Sequence, residues 1–370
     1  MDKIKITNHQ LFALTASFAC GSGPLVISAS ITSLAGQDAW ISMLLTVVFG
    51  PLELWLICFL WSHYPGMTYV QMINKTFGKY IGSIITVGFA FFCLLTDSEV
   101  IHYIGDFMTI QEMHQTPAYL INTIFFIVIA IALLYGLEVI ARSYEILTCF
   151  ASLLFILSMI LVLPNARIEN LQPVFEKGII PILEGSILLN SFFTFPVIIL
   201  LMIFPTNADN TTKARKSFIK GYLWGGFLIF ISILVSILVL GSTITADSQY
   251  PVYILAKEIN VGVIFTRLEF IVAAVWIITL LSRAIIYFYA GIISIAQLLK
   301  LKDHKKIILP LGLIIVVMSG IVYTDDIYKS TWDTFVWPPF VATFGLILPI
   351  VMVTGFYIKK YALALERQDN

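Results

Sequence analysis

The chain has 370 residues, of which 59% are hydrophobic and 12% charged, and its formal net charge is zero. Soluble domains carry about 25% charged residues, so this composition, with a mean hydropathy of +0.93, excludes a soluble globular domain and marks a polytopic membrane protein. The neutral balance gives no electrostatic reason to expect a nucleic-acid partner.

The N-terminus, Met1-Asp2-Lys3-Ile4-Lys5 ahead of Leu11–Cys20, has the outline of a signal peptide, and Ser17-Phe18-Ala19-Cys20 is a near miss to a lipoprotein box. The apolar run continues past Pro24 to Leu34, longer than the roughly 7–15 residues of a signal core, so it reads as a span. Ten runs are long enough to cross about 30 Å of hydrocarbon: about 8–34, 39–62, 80–104, 117–135, 143–163, 181–204, 218–243, 264–299, 306–323 and 335–358. No composition shift sets off a soluble domain, so residues 1–370 read as one transmembrane, transporter-like domain. With the N-terminus inside, sixteen Lys and Arg fall on inner segments and four on outer ones. By the positive-inside rule both termini are cytoplasmic. The outer connections are acidic, among them Asp38, Asp106, Asp247, Asp326 and Asp333; they read as a solvated face, with a cation-attracting vestibule as the second reading.

The first run is interrupted by Cys20-Gly21-Ser22-Gly23-Pro24-Leu25. Gly costs a helix interior about 1 kcal/mol against Ala and Pro about 3. In lipid the freed N–H and C=O groups also need partners, so such a break is tolerated only inside protein or beside a cavity. The alternative is a kink whose glycines face a neighbouring helix. The sixth run carries its own interruption, Asn190-Ser191-Phe192-Phe193-Thr194-Phe195-Pro196. Two interrupted spans five apart divide the chain into halves, about 8–163 and 181–358, which an odd number of spans places in opposite topology. The expected architecture is all-α and integral to the membrane, a ten-helix, five-plus-five inverted repeat with helices 1 and 6 broken. Matching interruptions of this kind point to a transporter-type binding site.

No Walker A loop, G-x-S-x-G or H-E-x-x-H motif is present, so covalent catalysis has no support. Cys20, Cys58, Cys93 and Cys149 lie in apolar runs without C-x-x-C spacing, and the five histidines are scattered, so neither a metal nor a cofactor is expected. The breaks offer bare backbone with Gly21, Ser22, Gly23, Ser191 and Thr194, while Asn190 adds an amide and Phe192, Phe193 and Phe195 an apolar wall. In the third span Phe92 and Thr96 share a face, and Asp97 and Glu99 follow. In the eighth, Thr279, Ser282, Arg283 and Tyr287 fall within about two turns, the first three on one broad face. Arg283 is the deepest cation, with Glu53 or Asp97 as candidate partners for a gate or an inert ion pair. Arg267 and Glu269 are two apart and do not face each other on a helix.

Several short motifs resemble one family. They are Tyr135-Gly136-Leu137-Glu138-Val139-Ile140-Ala141-Arg142 between spans 4 and 5, Thr116-Pro117 opening span 4, and Pro173-Val174-Phe175-Glu176-Lys177-Gly178 with Pro181-Ile182-Leu183 leading into span 6. Tyr250-Pro251 and Arg267-Leu268-Glu269 with Trp276 stand at the start of span 8. Together they resemble the B subunits of spore germinant receptors, within the amino acid–polyamine–organocation superfamily. The resemblance implies a LeuT-like fold in the spore inner membrane and a small germinant, an amino acid, sugar or nucleoside, bound between spans 1, 3, 6 and 8. It implies a larger membrane A subunit and a lipoprotein C subunit as partners, with binding leading to ion release and germination. By position its pocket would fall on Gly21, Phe92, Thr96, Phe193 and Ser282. Relatives often carry a Glu near the break of span 6, where this chain has Pro196. A second reading, from a different class, is a proton- or Na⁺-coupled amino acid transporter.

Overall fold

The computed structural model describes residues 5–21, 23–208, 212–258 and 269–366; Ser22 and Arg267, singled out above, lie outside them. Helix α1 (Asn8–Cys20) opens with a capping box in which Thr7 and Gln10 exchange side-chain and backbone hydrogen bonds. It ends at Gly21, whose φ of +40° no side chain adopts readily. A π-helical stretch (Gly23–Ile27) follows, then α2 (Ser28–Ala35), which passes through one 3₁₀ turn into α3 (Ala39–His63). The short amphipathic α4 (Tyr69–Phe77) precedes α5 (Lys79–Phe107), α6 (Ala118–Tyr135) and α7 (Leu137–Val162). Helix α8 (Ile179–Phe193) stops at the second expected break. The chain then tightens into a 3₁₀ helix (Phe195–Met202) that ends in α9 (Phe204–Asn207).

The remainder comprises α10 (Thr212–Asp247, with non-helical geometry at Gly241), α11 (Pro251–Lys257), α12 (Glu269–Leu298) and α13 (Ile308–Ile321). Three pieces joined by π turns close the chain: α14 (Asp326–Thr331), α15 (Trp337–Ala342) and α16 (Leu348–Glu366). Among the described residues, nine continuous helical stretches are long and apolar enough to cross a membrane. They number nine against ten expected runs because the first run is cut at Gly21 and its second piece, α2, joins α3. The last stretch begins at Asp326 instead of about 335, so part of the expected outer connection is helical. Ile84, Ile146 and Leu313, on α5, α7 and α13, are at least 70% exposed. Such outward apolar faces suit lipid, and the protein is integral to a membrane.

The broken first helix is held at the centre by close backbone approach. Gly221 and Gly225 of α10, one turn apart, lie against α1. A Cβ on Gly221 would stand 2.5 Å from the Phe12 carbonyl oxygen, and one on Gly225 3.0 Å from both Ala19 Cβ and Cys20 N. Small residues at this spacing let helices touch where lipid provides no hydrophobic drive. Hydroxyls add cross-links: Thr148 of α7 donates to the Ala13 carbonyl of α1 at 3.2 Å, and Ser42 of α3 to the Ile182 carbonyl of α8 at 2.9 Å.

Asp38, expected on a solvated face, is instead 1% exposed and accepts a hydrogen bond from Phe175 N at 2.8 Å. Beside it Gln37 donates to the Pro173 carbonyl and to Glu176. The turn between α2 and α3 is thereby pinned to the connection that leads into α8, linking the two broken segments. Gly221→Leu is expected to destabilise the purified protein by about 1–3 kcal/mol or more through overpacking. Gly320→Ala, at a glycine with open space around it, is expected to leave the detergent thermal midpoint unchanged or slightly raised.

Candidate ligand site at the two helix breaks

The carbonyls released at the two breaks are satisfied by side chains of the helices opposite. Thr279 of α12 donates to the Gly21 carbonyl at 3.0 Å. One turn further along α12, the Arg283 guanidinium donates to the Phe192 carbonyl at the end of α8. Trp337, the first residue of α15, donates its indole N–H to the Ser191 carbonyl at 3.1 Å. Arg283 is 3% exposed, and its Cζ lies 5.5 Å from the centroid of the Phe18 ring of α1, a favourable place for a desolvated guanidinium. A Cβ on Gly21 would fall 2.8 Å from Arg283 Cδ and 2.9 Å from Nη1. Gly21 therefore serves twice: it takes a left-handed φ, and it leaves the volume through which Arg283 crosses between the breaks.

Beside Arg283 lies a small cavity of ≈ 20 Å³, lined by Thr96, Glu99, Val100 and Tyr103 of α5, Phe192, Arg283 and Tyr287, and Tyr323, Asp333 and Trp337 from the last part of the chain. This is room for about one water-sized group. Above it, at the end bearing the acidic connections, opens a vestibule of ≈ 480 Å³ lined by Asp247, Asp326, Lys329, Ser248, Gln249, Tyr250 and others. Small-molecule sites occupy roughly 300–1,000 Å³, so the vestibule has ligand dimensions and the inner cavity does not. Tyr103 and Asp333 line both. The Tyr103 hydroxyl donates to Asp333 Oδ2, and Tyr323 donates to Oδ1 at 3.3 Å. This cluster is the partition between the two spaces. Lys329 holds α14 to α5 through Asp106 at 2.9 Å and also contacts Asp326 at 2.9 Å. Asp247, Asp326 and Asp333, read first as a solvated face, line this hollow, whereas Asp106 is ion-paired with Lys329.

Of the residues chosen from sequence, Thr96, Phe192, Arg283 and Tyr287 line the inner cavity. Gly21 and Thr279 sit directly behind Arg283 through the contacts just described. Gly23 begins the π stretch, and a Cβ on it would meet Ile229 at 2.5 Å. Ser282 is fully buried and its Oγ has no hydrogen-bond partner among the described residues. Phe92 is fully buried in an aromatic cluster, with ring centroids 5.0 Å from Phe344 and 5.5 Å from Phe340. Ser191 returns its hydroxyl to the Leu188 carbonyl at 2.7 Å. Phe193 stacks on Tyr222 of α10 at 4.4 Å, and Thr194 shares a hydrogen bond with the Tyr222 hydroxyl at 2.9 Å. Phe193, the last residue of α8, and Thr194, its C-cap, therefore face α10.

The proposed pairing of Arg283 with Glu53 or Asp97 is not made. Both carboxyl oxygens of Glu53 and of Asp97 are buried without hydrogen-bond partners among the described residues, and neither residue lines the inner cavity. Arg283 is instead held by a carbonyl freed at the second break. The acids that do line the cavity are Glu99 and Asp333. Sequence reading noticed Glu99 without giving it a role and left Asp333 in a loop. The spacing of Phe92, Thr96, Glu99 and Tyr103 is a one-face stripe that could have linked Glu99 and Tyr103 to Thr96.

Known structures and sequences place this arrangement. MhsT, solved in complex with L-phenylalanine, superposes with a TM-score of 0.71 over 96% of this chain and 99% of that one, at 14% identity. Mhp1, a nucleobase-cation-symport-1 family transporter solved in a closed conformation with bromovinylhydantoin bound, gives 0.67 over 93% and 79%, at 11% identity. The fold is therefore that of the LeuT-like transporters. Spore germination protein KB of Bacillus subtilis (strain 168) is 26% identical over 88% of this chain and 87% of its own length. Spore germination protein YndE of the same organism is 25% identical over 90% of each. The model of the spore germination protein family, Spore_permease, matches residues 5–327, and the chain belongs to that family.

Proposed function

We propose that the chain is the B subunit of a spore germinant receptor, which recognises a small nutrient at the paired helix breaks and passes the event on to partner subunits. The observation that carries this reading is the way one helix, α12, answers both breaks: Thr279 on Gly21 and Arg283 on Phe192. A nutrient carboxylate or hydroxyl that took over one of these bonds would change the relation between the broken segments. Binding energy would thereby become movement, provided the ligand prefers one arrangement over the other. Membership of the germination family and the transporter-like fold support the reading. The inner cavity of ≈ 20 Å³ implies that the arrangement described is a closed one, and that binding needs the partition at Tyr103 and Asp333 to part.

The same proposal carries a five-plus-five inverted repeat over about 8–163 and 181–358, cytoplasmic termini, and residence in the spore inner membrane. Its partners are a membrane A subunit and a lipoprotein C subunit. The germinant arrives from the acidic vestibule, whose lining includes three aspartates and one lysine and which faces outward on the charge bias. An ion-coupled amino acid transporter is the second reading, favoured by the likeness to MhsT and Mhp1.

A thermal-shift panel of amino acids, sugars and nucleosides on the purified chain is expected to contain a stabilising member. A compound at a hundred times its Kd would add about 2.7 kcal/mol, and a panel with no such member removes the sensor reading. In spores carrying this chain as their sole copy, Gly21→Leu is expected to abolish the response to that nutrient while the protein stays at its normal level, since the new side chain displaces Arg283. A full response from a normally expressed variant would reduce the site to a scaffold. Proteoliposomes of the chain alone are expected to show no uptake of the labelled nutrient under a proton or Na⁺ gradient; accumulation would establish the transporter instead.

A further inference from the structure

Away from the helix breaks, a groove of ≈ 340 Å³ opens between α1, α7 and α10. Cys149 and Leu153 on its α7 wall are exposed, so its mouth faces outward. Phe12, Leu153, Ile156 and the Trp224 ring make the walls largely apolar. The polar side chains deeper in the groove are turned onto protein. Thr148 donates to the Ala13 carbonyl at 3.2 Å, and the Trp224 indole donates to Ser152 Oγ at 3.0 Å. An apolar occupant leaves both donors paired, so it meets no desolvation cost from them.

The groove has a polar end. His9 and Glu145 stand where α1 and α7 begin. Both carboxylate oxygens of Glu145 are engaged, Oε1 with His9 Nδ1 at 2.8 Å and Oε2 by Gln10 at 3.2 Å. Helix α10 runs parallel to α1, since Gly221 meets Phe12 and Gly225 meets Ala19. Lys220, one turn before Trp224 on the same face of α10, therefore lies toward this same end. It is exposed and has no ion-pair partner among the described residues. From Glu145 to Ile156 the α7 wall rises about 16 Å at 1.5 Å per residue. That is close to half of the roughly 30 Å hydrocarbon core, the depth of one leaflet. A helix about 10 Å across takes on the order of 1,000 Å³ over that length, so a membrane-spanning segment of another protein would rest on the rim without entering.

We propose that this groove is the seat of one anionic phospholipid from the leaflet at the polar end, the cytoplasmic leaflet on the charge bias. One acyl chain lies between α1, α7 and α10, and the phosphate is met by Lys220. The preference for an anionic headgroup follows from the charges at the mouth. A headgroup ammonium would find both oxygens of Glu145 already taken and Lys220 opposing it, whereas a headgroup without one is opposed by neither. A chain seated against Ala13 bears on the half of α1 that ends at Gly21, so the lipid props the first broken segment from the membrane side. This reading does not depend on which nutrient the protein recognises.

The test uses the purified full chain in detergent. Phosphatidylglycerol and phosphatidylcholine of matched acyl chains are titrated, and retained lipid is counted by native mass spectrometry. The expected result is one tightly retained phosphatidylglycerol, held about fivefold more strongly than phosphatidylcholine, the scale of one basic side chain beside an anionic lipid. Lys220→Gln is expected to remove that preference. Lys79→Gln, at an exposed lysine that does not line the groove, is expected to keep it. Cys149→Phe, which fills the groove, is expected to lose the retained lipid of either kind. A measurement on wild type alone guards against variants that fail to fold. Phosphatidylglycerol carrying a diazirine in its acyl chain is photolysed with the protein, and adducts are mapped by peptide mass spectrometry. Adducts are expected to concentrate between Cys149 and Ile156 and at Trp224.

An even spread of adducts over outward faces such as those of Ile84 and Leu313 would reduce the groove to ordinary lipid-facing surface and overturn the proposal. So would a wild-type chain that retains no lipid, or a Cys149→Phe variant that retains it unchanged. Equal retention of the two lipids, or an equal loss of preference in Lys79→Gln and Lys220→Gln, would overturn the assignment of the phosphate to Lys220.

Discussion

A helix interrupted within a bilayer leaves peptide groups that lipid cannot solvate, and this constraint organises the protein. Gly21 breaks α1, and the change at Thr194 ends α8. The carbonyls set loose there are bonded by Thr279, Arg283 and Trp337, all from the part of the chain that follows the second break. The rest of the fold brings these donors to the right depth. Gly221 and Gly225 draw α10 onto α1, hydroxyls fasten α3 to α8, and the turn at Gln37 and Asp38 links the two broken segments at one end. Internal satisfaction of freed backbone groups is what makes such breaks tolerable.

Arg283 is the costliest member of this arrangement and the most informative. A guanidinium in a transmembrane helix is retained when it has work to do. Here it crosses the space left by the missing side chain of Gly21, lies against Phe18 and reaches the end of α8. It therefore touches α1 and α8 from α12. The small cavity next to it and the larger vestibule beyond are separated by Tyr103 and Asp333, so the accessible space and the breaks meet at one cluster of side chains.

Much of this was legible in the sequence, for reasons that differ from residue to residue. Gly21, Gly23 and Pro24 declared the first break because their cost in a helix is local and needs no knowledge of neighbours. Arg283 declared itself by its charge in an apolar run. Its partner did not, because a backbone carbonyl has no letter; Glu53 and Asp97 were attractive only as letters of opposite sign. Phe193 and Thr194 were chosen for standing beside the break, but sequence position does not say which side of α8 meets α10, and both meet Tyr222 there. Asp333 lay in a polar stretch that reads as a connection, and its place on the cavity depends on α14 folding back over α5. Only tertiary structure shows such a return.

The fastening of α14 has a further consequence. Its tie to α5 is polar, Lys329 to Asp106, and just beyond its end Asp333 meets Tyr103 of the same helix. They stand at the rim of a water-accessible hollow. A hydrogen bond to a charged group contributes about 1.5–3 kcal/mol net, and separating well-packed apolar faces costs more with every methylene exposed. Helix α14 is therefore latched at a wet rim, while the part of the last segment beyond it is packed by Phe340 and Phe344 onto Phe92 of α5.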